Sequence, residues 1–247
     1  MDWKTFDWLL QKALEEDAAR EDATTQALVP PERRATARLV AREAGIVAGL
    51  PLAERLVERM DADIRFEALV GDGDAVGPGI QVARLAGLAG SILSVERVML
   101  NFLQQLSGMA TLAARYAERV EGTEARIYDT RKTVPGWREL AKYAVRCGGA
   151  CNHRMHLAGA VLIKDNHLAL MGEGGVREAV RRAREAHPDL TVEMEVETFA
   201  QLEEALAAAP DIILLDNMTP EQVPEAARMA RESADEPPQL EASGGID

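Results

Sequence analysis

The sequence predicts an α/β protein whose C-terminal half is a β/α barrel, and three observations carry that expectation. Short, mostly apolar runs recur at 125–128, 160–163, 191–196, 211–215 and 240–242. Helical stretches at 138–147, 174–186, 198–209 and 220–234 separate them, and apolar strands alternating with helices indicate a parallel sheet covered on both faces. Each run also ends in charged or phosphate-suited residues. In order these are Asp129-Thr130-Arg131-Lys132, Lys164-Asp165-Asn166-His167, Glu195, Asp216-Asn217 and Ser243-Gly244-Gly245. In a β/α barrel the carboxyl ends of the strands converge on one face, where active sites are built.

The N-terminal half reads differently. Residues 3–20 place Trp3, Phe6, Leu10, Ala13 and Leu14 at helical spacing, and Asp22-Ala23-Thr24-Thr25 with Pro30-Pro31 break that helix. Residues 36–42 and 64–70 are predicted strands. Gly71-Asp72-Gly73-Asp74 and Gly77-Pro78-Gly79 are turn clusters between short extended segments, which implies a small antiparallel sheet. No strand-then-helix pattern surrounds these glycines, so they are not read as a phosphate loop. A long helix follows from about Ser94 to Glu118. Residues 125–247 supply five βα units against the roughly eight of a full barrel. The expectation is a smaller barrel or a chain lacking its natural end.

Composition narrows the function. The 247 residues are 47% apolar and 28% charged, which suits a globular core and excludes disorder and fibrous classes. No apolar run is long enough to span a bilayer, and the acidic N-terminus is unlike a signal peptide. Two cysteines, Cys147 and Cys151, suit a reducing compartment, so a cytoplasmic protein is expected. A net charge of −13 argues against nucleic acid or an anionic membrane as partner. The exception is the stretch Arg126–Asn166, where eight cations face three acids. Of only five lysines in the chain, Lys132, Lys142 and Lys164 lie there, and a compact ammonium suits phosphate binding or proton transfer. A solvated basic face is the alternative.

Several residues at the strand ends are candidates for chemistry. Ser243-Gly244-Gly245 suits a backbone cradle for phosphate. Glu195 and Asp216 suit a Mg²⁺ that bridges substrate phosphates, a general acid/base pair, or salt-bridge partners for Lys132 and Lys164. Lys164 suits either a Schiff base or a plain anion site. Cys147, Cys151, His153 and His156 match no standard zinc spacing. The preferred reading is structural thiols with His153 as an anion ligand.

Longer segments carry a family resemblance. They are Glu96-Arg97-Val98-Met99-Leu100-Asn101-Phe102, Ser107-Gly108-Met109-Ala110-Thr111, Asp129-Thr130-Arg131-Lys132-Thr133-Val134-Pro135-Gly136 and Asn152-His153-Arg154. Leu162-Ile163-Lys164-Asp165-Asn166-His167, Leu215-Asp216-Asn217-Met218 and Ser243-Gly244-Gly245-Ile246 complete the set. Together, in this order along the chain, they resemble the quinolinate phosphoribosyltransferases.

The resemblance implies an N-terminal α/β sandwich domain over residues 1–105 and an incomplete β/α barrel over 106–247 that carries the active site. It implies transfer of phosphoribose from phosphoribosyl pyrophosphate to quinolinate with loss of CO₂, giving nicotinate mononucleotide for NAD synthesis. The implied cofactor is Mg²⁺ at Glu195 and Asp216, directly or through water, with no organic cofactor. The implied assembly is a homodimer, or a higher oligomer built on it, whose sites use both chains. Arg97 from the partner, Thr130, Arg131, Lys132, His153, Arg154 and Lys164 would surround the carboxylates and phosphates. Lys132, Lys164, Glu195 and Asp216 form the implied catalytic set, and Ser243, Gly244 and Gly245 would hold the 5′-phosphate.

Three departures from the family pattern stand out. His156 replaces a usual small residue and Glu21 a usual glycine. The family's barrel continues past the Ser-Gly-Gly strand with a further phosphate loop, which implies an incomplete 5′-phosphate site in these 247 residues. The rivals are a related phosphoribosyltransferase using another substrate, a Schiff-base aldolase at Lys164, and a lipoyl-like binding module at Gly71–Gly90. That stretch lacks the turn lysine such a module modifies.

Overall fold

The computed structural model describes every residue except Glu173, Ile246 and Asp247. The chain forms two compact units, Met1–His153 and Arg154–Asp247. The expected boundary at 105/106 lies inside a long helix of the first unit.

The expected first helix is interrupted. A 3₁₀ turn at Trp3–Phe6 leads into α1 (Asp7–Glu16), and the left-handed backbone at Ala18 ends it before a second 3₁₀ turn, Ala19–Glu21. Asp22, expected to break the chain, instead caps α2 (Ala23–Leu28). Its carboxylate accepts from the Thr25 N–H at 3.0 Å and from the Thr25 hydroxyl at 2.5 Å. Strands β1 (Arg34–Val40) and β2 (Gly45–Ile46) follow, and then α3 (Leu50–Met60), a helix the sequence reading missed. Pro51 there opens a helix instead of breaking one. The Asp72 carboxylate accepts the N–H groups of Gly49 (2.8 Å) and Leu50 (3.0 Å), so the acidic turn at 71–74 serves as a distant cap for α3. Leu50, Leu52, Ala53, Leu56 and Val57 bury the inward face of α3.

Strands β3 (Arg65–Ala68), β4 (Ala75–Val76) and β5 (Gln81–Leu88) complete the antiparallel structure that was expected. β5 lies between β1 and β3, with Ala37 and Phe66 both opposite Leu85, while β2 pairs separately with β4. β5 runs without a turn into α4 (Ala89–Arg119), which therefore begins five residues before the expected Ser94. Thr111 and Ser107 on α4 tie down β2 and the chain after it. Thr111 Oγ1 accepts from the Ile46 N–H at 2.8 Å and Ser107 Oγ from the Ala48 N–H at 3.1 Å. α5 (Arg138–Cys147) packs on α4 at Gly148, where an added Cβ would lie 2.2 Å from the Ala110 carbonyl oxygen. The run at 125–128 is not a sheet strand. Only Tyr128 forms a parallel bridge, to Cys151, because no regular strand at 149–153 exists to extend the ladder.

The second unit follows the expected rhythm, with one additional helix. β6 (Val161–Ile163), α6 (Asp165–Met171), α7 (Gly175–Ala186), β7 (Val192–Val196), α8 (Phe199–Ala208), β8 (Ile212–Asp216), α9 (Gln222–Ser233) and β9 (Gln239–Ser243) follow along the chain, and α6 is the helix that was not expected. Thr198 and Gln201 form a reciprocal capping box at the start of α8. All four strands are parallel and lie in sequence order, the winding of a β/α barrel and not of a doubly wound sheet, whose order reverses. Val192, Met194, Val196, Ile213 and Leu215 form the unit's core with Val176, Val180 and Leu202 from the covering helices. Among the described residues no helix is long and apolar enough to cross a membrane.

Candidate active site

In the first unit the charged residues gather around Asp129. The backbone reaches it through two bonds, Cys151 N–H to the Ile127 carbonyl (2.8 Å) and Asp129 N–H to the Cys151 carbonyl (3.0 Å). The Asp129 carboxylate accepts from the Lys142 ammonium, from the His153 N–H at 2.9 Å and from the Asn152 amide at 2.7 Å. Asn152 in turn accepts from the Arg146 guanidinium. Thr130 Oγ1 takes the Lys132 N–H at 3.1 Å, and the Arg131 carbonyl takes the Thr133 N–H at 2.9 Å, so the chain folds tightly just after Asp129.

Two cations of this loop are unspent. Among the described residues Arg131 and Lys132 make no ion pair, although three acids lie in the same stretch of chain. Arg131 Nε is buried without a hydrogen-bond partner. A buried donor in that condition is costly, and an anionic ligand would satisfy it. Lys132 is exposed. Arg97, on the exposed face of α4, likewise makes no ion pair among the described residues.

Nearby, the half-buried Tyr143 phenol donates to Asp72 at 2.6 Å, and burial together with that carboxylate drives its ionisation far above the ordinary tyrosine range. Burial also pushes the Cys147 thiol up, which disfavours the nucleophilic thiolate. Both cysteines are free, and among the described residues neither joins a cluster of metal ligands.

In the second unit the strand ends carry the remaining candidates. Lys164 follows β6, and its ammonium is paired with the Glu195 carboxylate of β7. Its own N–H donates to His167 Nδ1 at 2.9 Å, which orients the start of α6. Asp216 closes β8 in register with Ser243 of β9. Asn217 has left-handed backbone, donates its N–H to the Ser243 carbonyl (2.8 Å) and its side-chain amide to Asp216 (2.9 Å). Gly244 must be glycine: its φ is +85°, and a Cβ would lie 2.1 Å from Asn217 Oδ1. The result is a glycine turn beside an acid. Ile246, named with this motif, lies outside the described residues. Arg154 opens the second unit and donates to the Ala160 carbonyl at 2.9 Å.

The sequence reading assigned no role to Asp129, Asn152 or Glu193. Asp129 had a visible signal, being the single acid between Arg126 and Arg138. Glu193 stands two residues before Glu195, on the same side of β7, and is 1% exposed.

A sequentially wound parallel sheet ending in Lys164, Glu195, Asp216 and a glycine turn, in a chain that also carries a cationic loop, defines an enzyme for anionic, phosphorylated substrates. Comparison with known proteins narrows the class. Residues 22–107 match the N-terminal domain, and residues 109–247 the C-terminal domain, of quinolinate phosphoribosyl transferase. The chain belongs to that family. It is 40% identical to a nicotinate-nucleotide pyrophosphorylase (carboxylating) of Mycobacterium leprae, across 96% of this chain and 84% of that protein. NadC from Streptococcus pyogenes is 41% identical, with a TM-score of 0.92 over all of this chain and 86% of that structure. The nicotinate-nucleotide pyrophosphorylase of Francisella tularensis gives 0.93 at 36% identity, over all of this chain and 85% of its own.

Proposed function

We propose that the named residues carry out the family's reaction, the transfer of phosphoribose from phosphoribosyl pyrophosphate to quinolinate with loss of CO₂, in the following roles. Arg131, Lys132, His153 and Arg154 hold the quinolinate carboxylates and neighbouring phosphate, with Thr130 at the same turn. Arg97 is supplied to the site by the partner chain of a homodimer. Lys164 and Glu195 act as a charge pair beside the ribose, with Asp216, and Ser243-Gly244-Gly245 receives the 5′-phosphate. The observation that carries this reading is the buried Nε of Arg131, which has no hydrogen-bond partner among the described residues. A planar guanidinium left in that state fits a carboxylate bidentately.

The chemistry follows from the charges. The bond from ribose C1 to pyrophosphate breaks, and the pyrophosphate leaves with the electron pair. The ribose becomes oxocarbenium-like, and a carboxylate such as Glu195 or Asp216 stabilises that charge electrostatically. The quinolinate nitrogen then bonds to C1 and becomes cationic. That cation accepts the electrons released when the C2 carboxylate departs as CO₂, and the resulting carbanion takes a proton. Positioning and electrostatics supply most of the rate.

The donors at the strand ends fit Mg²⁺. They are hard oxygens, and with Glu195 already engaged by Lys164 they suit a cation held through water and substrate phosphates more than a closed protein cage. Held by Glu195 and Asp216, directly or through water, Mg²⁺ would supply positive charge to neutralise the departing pyrophosphate.

An ion-paired ammonium is a poor amine nucleophile, which favours this reading of Lys164 over a Schiff-base aldolase. A cytoplasmic location fits a chain with two free thiols. The test is CO₂ release from carboxyl-labelled quinolinate with and without phosphoribosyl pyrophosphate. Release that depends on both substrates is expected. Its absence, with quinolinate left intact, overturns the assignment.

A further inference from the structure

We propose that Lys142 is a positioning residue for the quinolinate-binding loop, acting through Asp129 and the His153 backbone. This rests on the functional reading above. Lys142 is among the largest fully buried side chains of the protein, 1% exposed, and it points away from any role as a solvated cation. Its ammonium donates to Asp129 Oδ1 and, at 2.9 Å, to the His153 carbonyl. Asp129 immediately precedes Thr130-Arg131-Lys132, and His153 is itself a candidate ligand, so one buried charge touches both ligand-bearing segments.

The backbone fixes their register at one point only, through the two bonds that join Cys151 to the Ile127 carbonyl and the Asp129 N–H. Among the described residues these bonds form a single bridge, Tyr128 to Cys151, and no ladder extends it. Side chains extend the hold beyond the bridge. Asp129 binds Lys142, the His153 N–H and the Asn152 amide, and the same amide donates to the Lys142 carbonyl at 2.9 Å.

Stability alone does not account for the pair. An apolar or neutral isosteric pair at a buried site is often as stable as the ion pair, whereas the ionic network holds one geometry. Nor does Lys142 serve as a net attractor of anions, because Asp129 cancels its charge.

That cancellation makes the test specific. The double variant Lys142→Met, Asp129→Asn removes the charges together, leaves no buried ion unpaired and keeps the region's net charge. Quinolinate affinity by calorimetry is to be measured alongside KM for each substrate and thermal melting. The expected result is a double variant that melts close to wild type but binds quinolinate at least about tenfold more weakly, as a displaced ligand set would. Its KM for phosphoribosyl pyrophosphate is expected to change far less. Unchanged quinolinate affinity in a folded double variant overturns the proposal and leaves the functional reading intact. If wild type itself binds no quinolinate, both fall. Should the double variant not fold, Asn152→Ala removes only the outer clasp, and the same selective rise in quinolinate KM is expected. An equal rise in both KM values there overturns the proposal.

Discussion

Lys164 and Glu195, 31 residues apart in sequence, meet as an ion pair at the ends of adjacent parallel strands. The pairing occurs because β6 and β7 are in register from Val161 opposite Val192 to Ile163 opposite Met194, so the next residue on each strand falls side by side. One charge therefore holds the other, and neither is an isolated nucleophile or base.

From that pairing, borohydride treatment with quinolinate or simple aldehydes is expected to leave no substrate-dependent adduct on Lys164. Mass spectrometry of the tryptic peptide reads the result. A reduced adduct at Lys164 would restore the aldolase reading.

Arg131→Lys retains the charge and loses the bidentate fork. Quinolinate binding is expected to weaken by about 1.5–3 kcal/mol, the value of a charged hydrogen bond in a shielded site. Calorimetry showing unchanged affinity would remove Arg131 from the ligand set.

The dimer proposal has its own test. Arg97→Ala and Lys132→Ala are each expected to be nearly inactive as homodimers, since each lesion then occupies every site. In a two-fold mixed dimer with shared sites both lesions fall in one site and the other is intact. Co-refolding equal amounts gives about half mixed dimers, and so roughly a quarter of wild-type activity under random pairing. Mixed dimers proven by native mass spectrometry but showing no recovery would place Arg97 outside the partner's site.

Gly148→Ala is expected to lower stability by about 1–3 kcal/mol, the usual cost of overpacking. The backbone there is unstrained, and the penalty comes from the close passage against Ala110, Ala113 and Ala114 of α4. A thermal midpoint equal to that of wild type would show that α5 moves away from α4 at no cost.

Alkaline pH tests the link between Tyr143 and Asp72. The folded-state ionisation of Tyr143 lies above its ordinary value of 10.0. Its contribution to stability is therefore complete below about pH 10 and declines as pH rises further, because the unfolded chain loses the phenolic proton first. Tyr143→Phe is expected to flatten that decline in urea titrations between about pH 9 and 11. An unaltered slope would mean that the phenol ionises as freely when folded as when unfolded.

Much of this protein was legible along the chain. The apolar runs and helical stretches located β6 to β9 and α7 to α9 to within a few residues, and α5 matched its expected span, because strands of a covered parallel sheet stay rich in apolar residues between helices. The residues at the ends of those strands were legible for the same reason: a charge closing an apolar run is conspicuous. Local pattern failed where the partner was distant. Asp72 reads as a turn residue and caps α3, which was not itself expected, and the run at 125–128 reads as a strand but lacks a neighbour to extend its pairing. The three lysines of the basic stretch are chemically alike in sequence. Folding buries Lys142 against Asp129, pairs Lys164 with Glu195 and leaves Lys132 exposed, because the role of a cation depends on which acid the fold sets opposite it and how much water remains between them.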